Sequence, residues 1–114
     1  MAAYIGDGEL EETVFAAQQR LGCWVCATDG AAGTFWTDGG PVKNITSPNI
    51  EVVDTLGAGD VWHGVFALML AEGMKEEEAV LRANAAAALK CTQFGGRDGT
   101  PNRAQTDHFL KEWN

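Results

Sequence analysis

The chain has 114 residues, of which 46% are hydrophobic and 21% are charged, and its formal net charge is −8. That length suits one domain at most, and that composition is typical of globular proteins rather than of disordered chains. The eight lysines and arginines are scattered, so the chain lacks the clustered positive charge with which proteins bind nucleic acid.

The longest apolar run, from Val61 to Ala71, has 11 residues and includes His63. A helix that spans a bilayer needs about 20 apolar residues, and the amino terminus lacks the basic and then apolar segments of a secretory leader. We therefore expect a soluble, cytoplasmic protein that has neither a membrane nor a nucleic acid as its partner.

The first half of the sequence is typical of a helix followed by short strands. Apolar residues recur at near-helical spacing from Gly8 to Arg20, and Leu21 to Ala27 is predicted to be a buried strand. Thr28 to Gly33 is predicted to be a turn, and Thr34 to Thr37 a second strand that completes a hairpin. A further short strand is expected from Val42 to Ile45.

Three cysteines are present, and Cys23 and Cys26 have the C-x-x-C spacing of some redox and zinc sites. An odd number of cysteines argues against a disulfide framework. Residues three apart on a strand point to opposite faces of the sheet, so a strand from Leu21 to Ala27 would keep the two thiols apart. The simpler interpretation is that both are structural residues.

The second half of the sequence is predicted to be helical after one short strand. The apolar residues Ile50, Val52 and Val53 lead into a glycine-rich turn, Asp54 to Asp60. Helices are predicted from Gly57 to Glu72, from Met74 to Gln93, and from about Arg103 to Trp113, with glycine or proline near their ends.

The glycine-rich turn predicts an anion-binding site. Gly57 and Gly59 allow a tight turn without a Cβ in the way, so that successive N–H groups can converge ahead of the helix, where the dipole favours negative charge. Asp60 would then lie beside a bound phosphate, at the position of a base that takes a proton from an attacking hydroxyl. The pattern indicates a kinase with an alcohol as acceptor.

The sequence D-T-L-G-A-G-D at Asp54 to Asp60 resembles, at every fixed position, the signature of the ribokinase-like (pfkB) carbohydrate kinases. Thr28 to Gly33 resembles the T-x-G-x-x-G nucleotide loop of that family, and Asn84 lies in an alanine-rich helix similar to the one that flanks adenine. The resemblance implies an α/β fold of the ribokinase-like, Rossmann-like α/β/α type, with a small mixed sheet and packed helices.

The resemblance covers the chain from about Cys23 to the C-terminus, so residues 1–114 are expected to be the C-terminal portion of such a kinase domain. Nothing in the sequence resembles the N-terminal sugar-binding half and its lid. The implied activity is ATP-dependent phosphorylation of a hydroxyl on a small sugar or related alcohol, with Mg²⁺ bound together with the nucleotide. By itself the chain is expected to be inactive toward sugars.

The resemblance also implies roles for particular residues. Asp60 would be the catalytic base, and the N–H groups of Gly57, Ala58 and Gly59 would stabilise charge on the transferring phosphoryl group. The residues expected to bind the nucleotide are Thr28, Gly30, Gly33 and Asn84. The residues expected to hold a monovalent cation such as K⁺, mainly through carbonyl oxygens, are Asp54, Leu56, Lys90, Gln93 and Gly95.

Several of these residues have simpler interpretations. Thr28 to Gly33 could be an ordinary hairpin turn, and Asn84 could be a capped or solvent-facing polar residue. His63 follows Asp60 by three residues on the same helical face, but a core or supporting histidine is the better interpretation. The alternative to a kinase part is a non-catalytic nucleotide-binding or structural remnant of one, and self-association into a homo-oligomer is compatible with both.

Overall fold

The computed structural model describes residues 10–96 and 99–113. The chain divides into two compact units, residues 1–47 and residues 48–114. The predicted start of the first helix at Gly8 lies outside the described residues. No helix in the described part of the chain is both long enough and apolar enough to cross a membrane.

The first unit packs one helix against a small sheet. Helix α1 is Leu10–Leu21, and it contacts strands β1, Val25–Thr28, and β2, Thr34–Thr37. Its inner face includes Val14, which is completely buried. The helix ends where the backbone N–H of Gly22 donates to Gln18 O at 2.8 Å.

The sheet has the order β1-β2-β3, where β3 is Lys43–Ile45. Both pairings are antiparallel, with Cys26 opposite Trp36 and Trp36 opposite Lys43. Trp36 is 5% exposed, because the indole of Trp24 stacks on it at 5.8 Å between ring centroids and the Lys43 ammonium lies 4.9 Å from its ring centroid. Cross-strand and stacking contacts of this kind stabilise a sheet as small as this one.

The first strand begins later than predicted. Strand β1 begins at Val25 rather than at Leu21, because Leu21 is the last residue of α1. Cys23 therefore lies before the strand, and the opposite-face argument does not apply to it, although Cys23 and Cys26 are both free thiols. Burial raises the pKa of Cys26 to about 11, which keeps that thiol protonated and unreactive at neutral pH.

The sheet was expected to be mixed, whereas every strand pairing among the described residues is antiparallel. Residues 50–53 do not form the predicted strand, since a β-strand needs a partner for its backbone groups. Instead, the N–H groups of Val53 and Asp54 both donate to the carbonyl oxygen of Cys91, at 2.7 and 3.1 Å. This segment is therefore tied to the end of a helix rather than to a sheet.

The second unit consists mainly of three helices, α2 (Ala58–Ala71), α3 (Glu76–Cys91) and α4 (Arg103–Trp113). Helix α3 contacts both of the others. Most of its buried residues are alanines, whose small side chains allow helices to approach closely. Trp62, which is 5% exposed, and Phe66 are stacked with ring centroids 5.0 Å apart.

Helix α4 begins with a capping box. The backbone N–H of Gln105 donates to Asn102 Oδ1, and the backbone N–H of Asn102 donates to Gln105 Oε1, both at 2.8 Å. This reciprocal pair satisfies two N–H groups that a helix start leaves without partners. Arg82 on α3 also pairs with Asp107 on α4, which fixes the two helices against each other.

Candidate active site

The glycine-rich turn of the second unit is held in place by the carboxylate of Asp54. Its Oδ1 accepts from the backbone N–H of Leu56 at 2.9 Å, and its Oδ2 accepts from that of Gly95 at 2.8 Å. The bond from Leu56, then that from Gly95, and to the least extent the nearby Lys90 ammonium hold the pKa of the Asp54 carboxyl below its ordinary 3.8, whereas desolvation acts in the opposite direction. Asp54 therefore joins the turn to the segment that follows α3.

Lys90 supports the same turn from the last part of α3. Its side chain is 0% exposed, and its Nζ lies 3.8 Å from Asp54 Oδ2. The ammonium donates to the carbonyl oxygens of Asp54 at 2.8 Å and of Gln93 at 3.3 Å. All five residues expected to hold a monovalent cation are thus linked to one another by the hydrogen bonds of Asp54 and Lys90.

The glycine-rich turn leads directly into the amino-terminal end of α2. Gly57 is the N-cap residue and has the left-handed φ of +78°, which glycine adopts without the steric penalty of a Cβ. The Ala58 N–H donates to Thr55 O at 3.1 Å, whereas those of Gly57 and Gly59 donate to no backbone acceptor within the described residues. These two N–H groups are therefore available to an anion at the positive end of the helix dipole.

Asp60 lies in the first turn of α2 and is exposed. A carboxylate at this position is beside the free N–H groups and accessible to a substrate. His63, one turn later, is exposed, so of the two expected roles, core or supporting, the core role was wrong and the supporting role stays a prediction. Its Nδ1 lies 2.7 Å from Gly59 O, and because a carbonyl oxygen only accepts, Nδ1 carries the proton of that bond.

Asn84 is 2% exposed and lies on α3 within the helix packing. Its Oδ1 accepts a hydrogen bond of 2.7 Å from the indole Nε1 of Trp62 on α2. A buried side-chain bond of this kind explains an asparagine in an alanine-rich helix, so Asn84 is neither exposed nor at a helix cap. Its expected contact with adenine stays a prediction.

The predicted nucleotide loop lies in the first unit, where it joins β1 to β2. Thr28 is the last residue of β1, and Gly30–Ala32 forms one turn of 3₁₀ helix. The Asp29 N–H donates to Gly33 O at 2.8 Å, which closes the loop on itself. Thr28 and Gly30 are exposed, whereas Gly33 is buried.

Gly33 is required by the close approach of two backbones. Its φ is +91°, and a Cβ built on it would lie 2.1 Å from Ile45 O. No side chain can be accommodated at that distance. The neighbouring Asn44 Nδ2 donates to Ala32 O at 3.1 Å and to Thr34 O at 3.3 Å, so β3 supports the loop from the side.

Sequence reasoning missed two supports of the turn. The first is Gly96, which lies so close to Leu56 that a Cβ on Gly96 would be 3.4 Å from Leu56 Cγ. The second is the side chain of Lys90, to which the sequence alone assigned no role. A signal for Lys90 was present, because it follows Ala83 and Ala86 by seven and four residues and so lies on their buried helical face. The described residues contain no cluster of three or more His, Cys, Asp or Glu residues that could hold a metal ion.

Comparison with known proteins agrees with the family resemblance that the sequence motifs indicated. The family model described as pfkB family carbohydrate kinase matches residues 5–103. Ribokinase from Bacillus subtilis (strain 168) is 40% identical over 83 residues, which are 73% of this chain and 28% of that protein. The chain therefore spans about a third or less of the length of such relatives.

Two solved structures extend this similarity to the fold. Ribokinase from Arabidopsis thaliana, complexed with ribose and ATP, has a TM-score of 0.75 and 32% identity, over 84% of this chain and 32% of that one. A double mutant of a fructokinase from Vibrio cholerae, with fructose, ADP and a potassium ion bound, has a TM-score of 0.77 and 26% identity. That match covers 87% of this chain and 34% of the fructokinase. The predicted α/β fold of ribokinase-like type is confirmed.

Proposed function

Because the chain belongs to the pfkB family of carbohydrate kinases, we propose that it is the C-terminal part of an enzyme that phosphorylates a hydroxyl of a small sugar or related alcohol with ATP. The observation that carries this proposal is the turn at the start of α2. It combines two free N–H groups, the positive end of a helix dipole and an exposed carboxylate at Asp60. That combination suits the transfer of a phosphoryl group to an alcohol.

In the proposed mechanism Asp60 accepts the proton of the attacking hydroxyl. The N–H groups of Gly57 and Gly59 donate to the oxygens of the transferring phosphoryl group, and Ala58 contributes once its bond to Thr55 O opens. Asp54 keeps the turn in shape through its bonds to Leu56 and Gly95. The N–H groups of Gly57 and Gly59 are already available, so these two donors need little rearrangement when the reaction occurs.

For the nucleotide, we assign the loop that contains Thr28, Gly30 and Gly33, and Asn84 toward the adenine side. Mg²⁺ commonly binds through one or two carboxylates together with substrate phosphates. Since the described residues offer no metal-binding cluster, the ion would depend on the phosphates of ATP. The proposed partner is thus a small sugar bound together with ATP, with the cytoplasm as the location.

The residues that orient the sugar are expected in an N-terminal half of the enzyme, together with the lid that excludes water. Nothing in this chain resembles that half. Correct orientation of two reactants can lower a reaction barrier by about 7–11 kcal/mol. We therefore expect the 114-residue chain to bind ADP or ATP weakly and to show no efficient sugar-dependent turnover. A homo-oligomer is compatible with this expectation.

The first experiment measures nucleotide binding to the chain by calorimetry. Gly59→Ala is the informative variant, because a Cβ there meets no atom within 4 Å and Gly→Ala in a helix stabilises by about 0.5–1 kcal/mol. We expect the variant to remain folded but to bind ATP about tenfold more weakly, since the Cβ would stand beside the γ-phosphate and disturb its hydrogen bonds. Unchanged affinity for ATP would show that the turn does not contact the γ-phosphate.

The second experiment measures ADP release with a panel of hexoses, pentoses and nucleosides. In any preparation that shows turnover, Asp60→Asn should lower kcat by about 10²–10⁴-fold with little change in ATP affinity. Turnover close to that of the wild type would exclude the base assignment. Because the 114-residue chain is expected to bind nucleotide without turnover in either case, only ADP binding without turnover when the sugar-binding half is also present would support the non-catalytic alternative.

A further inference from the structure

The carbonyl oxygens that the family resemblance assigns to a monovalent cation already have a positively charged partner in this chain. Two of them, Asp54 O and Gln93 O, accept hydrogen bonds from Lys90 Nζ, at 2.8 and 3.3 Å. The same nitrogen lies 3.8 Å from the carboxylate of Asp54. The residues do not fit a potassium ion as expected, because a second cation would share these oxygens with an ammonium group.

The placement of this ammonium is specific. Lys90 is fully buried, and a buried charge is tolerated only where hydrogen bonds and opposite charge replace its hydration. An ammonium has three N–H donors and no acceptor, and here two of the donors point to carbonyl oxygens of two different segments. Carbonyl oxygens therefore replace the hydration of the Lys90 ammonium here, as carbonyl oxygens replace the hydration shell of a potassium ion in a selective site.

From these contacts we infer that the ammonium of Lys90 replaces the monovalent cation in this chain. It is a tethered cation that joins the end of α3 to the turn carrying Gly57 and Asp60. Lys90 is in this sense a positioning residue, since it acts on the turn through Asp54. The inference rests on the family membership and not on the proposed activity, and it predicts that this chain is indifferent to potassium.

The test compares thermal unfolding of four forms of the chain: wild type, Lys90→Ala, Lys90→Met and Lys75→Met. Each is measured in choline chloride, potassium chloride and ammonium chloride at the same ionic strength, so that general screening is equal. Lys90→Ala removes the charge and leaves room for a free cation. Lys90→Met removes the charge but fills the space, and Lys75→Met is the control because Lys75 is exposed.

We expect the wild type and Lys75→Met to have the same melting temperature in all three salts. In choline chloride both Lys90 variants should melt lower by about 5 °C or more. Potassium or ammonium should restore Lys90→Ala with a saturating dependence on concentration, as a bound ligand does. They should not restore Lys90→Met, because its side chain occupies the position of the ion.

Two results would overturn the inference. A rise in the wild-type melting temperature that is specific to potassium would show that the chain binds the ion in addition to Lys90. A Lys90→Ala variant that is equally destabilised, or unfolded, in all three salts would show that the lysine has only a packing role. Neither readout involves a sugar or a nucleotide, so the outcome is independent of whether the proposed kinase activity is correct.

Discussion

The hydrogen bond between Trp62 and Asn84 gives a quantitative prediction for the packing of α2 on α3. Its length is 2.7 Å, and the two residues are 5% and 2% exposed. Asn84→Ala would leave the indole N–H buried without this acceptor, at a cost of about 1–3 kcal/mol. Alanine regains about 0.5 kcal/mol of helix propensity, so we expect a net loss of about 0.5–2.5 kcal/mol in the free energy of unfolding.

The measurement is urea unfolding followed by far-UV circular dichroism, in a double-mutant cycle with Trp62→Phe. That second variant removes the donor and keeps an aromatic ring that can stack on Phe66. Because either change alone breaks the same bond, the two losses should not add, and a coupling of about 1 kcal/mol is expected. A loss below about 0.5 kcal/mol for Asn84→Ala, or additivity within about 0.3–0.5 kcal/mol, would refute the reasoning.

The same pair of variants tests the proposed role of Asn84 toward adenine. Both break the helix contact, but only Asn84→Ala removes a group that could contact the base. If Asn84 binds adenine, the affinity for ADP should fall more in Asn84→Ala than in Trp62→Phe. Equal affinities would leave Asn84 with a structural role alone.

Three further predictions concern local stability. Asn102→Ala breaks the capping box with Gln105 and should destabilise the chain by about 1 kcal/mol, measured by urea unfolding; no change would show that the box is not formed in solution. Gly33→Ala places a Cβ 2.1 Å from Ile45 O and should prevent a native arrangement of the hairpin, so its amide spectrum by NMR should lose the shifts of β2 and β3; an unchanged spectrum would contradict the close approach. The pKa of the Asp54 carboxyl is lower in the folded chain than its ordinary value of 3.8, so the carboxylate stabilises the fold at pH values above 3.8. This contribution is lost as the pH falls below 3.8 toward the pKa of the folded state. Asp54→Asn should therefore weaken the acid dependence of unfolding, and an identical dependence would contradict the assignment.

The elements that could be predicted are those whose signals are local. Strand β2, Thr34–Thr37, and helix α4, Arg103–Trp113, have the predicted bounds, because turn residues and a proline mark their ends. Gly57 and Glu72 flank α2 as its caps, as the glycine pattern indicated. The turn residues at Asp54 to Asp60 were likewise identified from their spacing.

The features that could not be predicted depend on distant residues. Ile50 to Val53 has the composition of a strand, but a strand also requires a partner, and its backbone finds Cys91 O instead. The resemblance pointed to the carbonyl of Lys90 and not to its side chain, because the direction of that side chain follows from how α3 packs. Trp62 and Asn84 are 22 residues apart in sequence, a separation at which no local pattern indicates contact.

The stacked indoles of Trp24 and Trp36 also give the first unit an optical signature of its own. Two indoles at 5.8 Å between ring centroids couple their excited states, so the pair should produce an exciton couplet in circular dichroism that disappears when the rings separate. Trp62 of the second unit has a phenyl ring and an imidazole as its described aromatic neighbours and contributes no such couplet with them. A single sample can therefore report the melting of the hairpin separately from that of the helices, without an attached label.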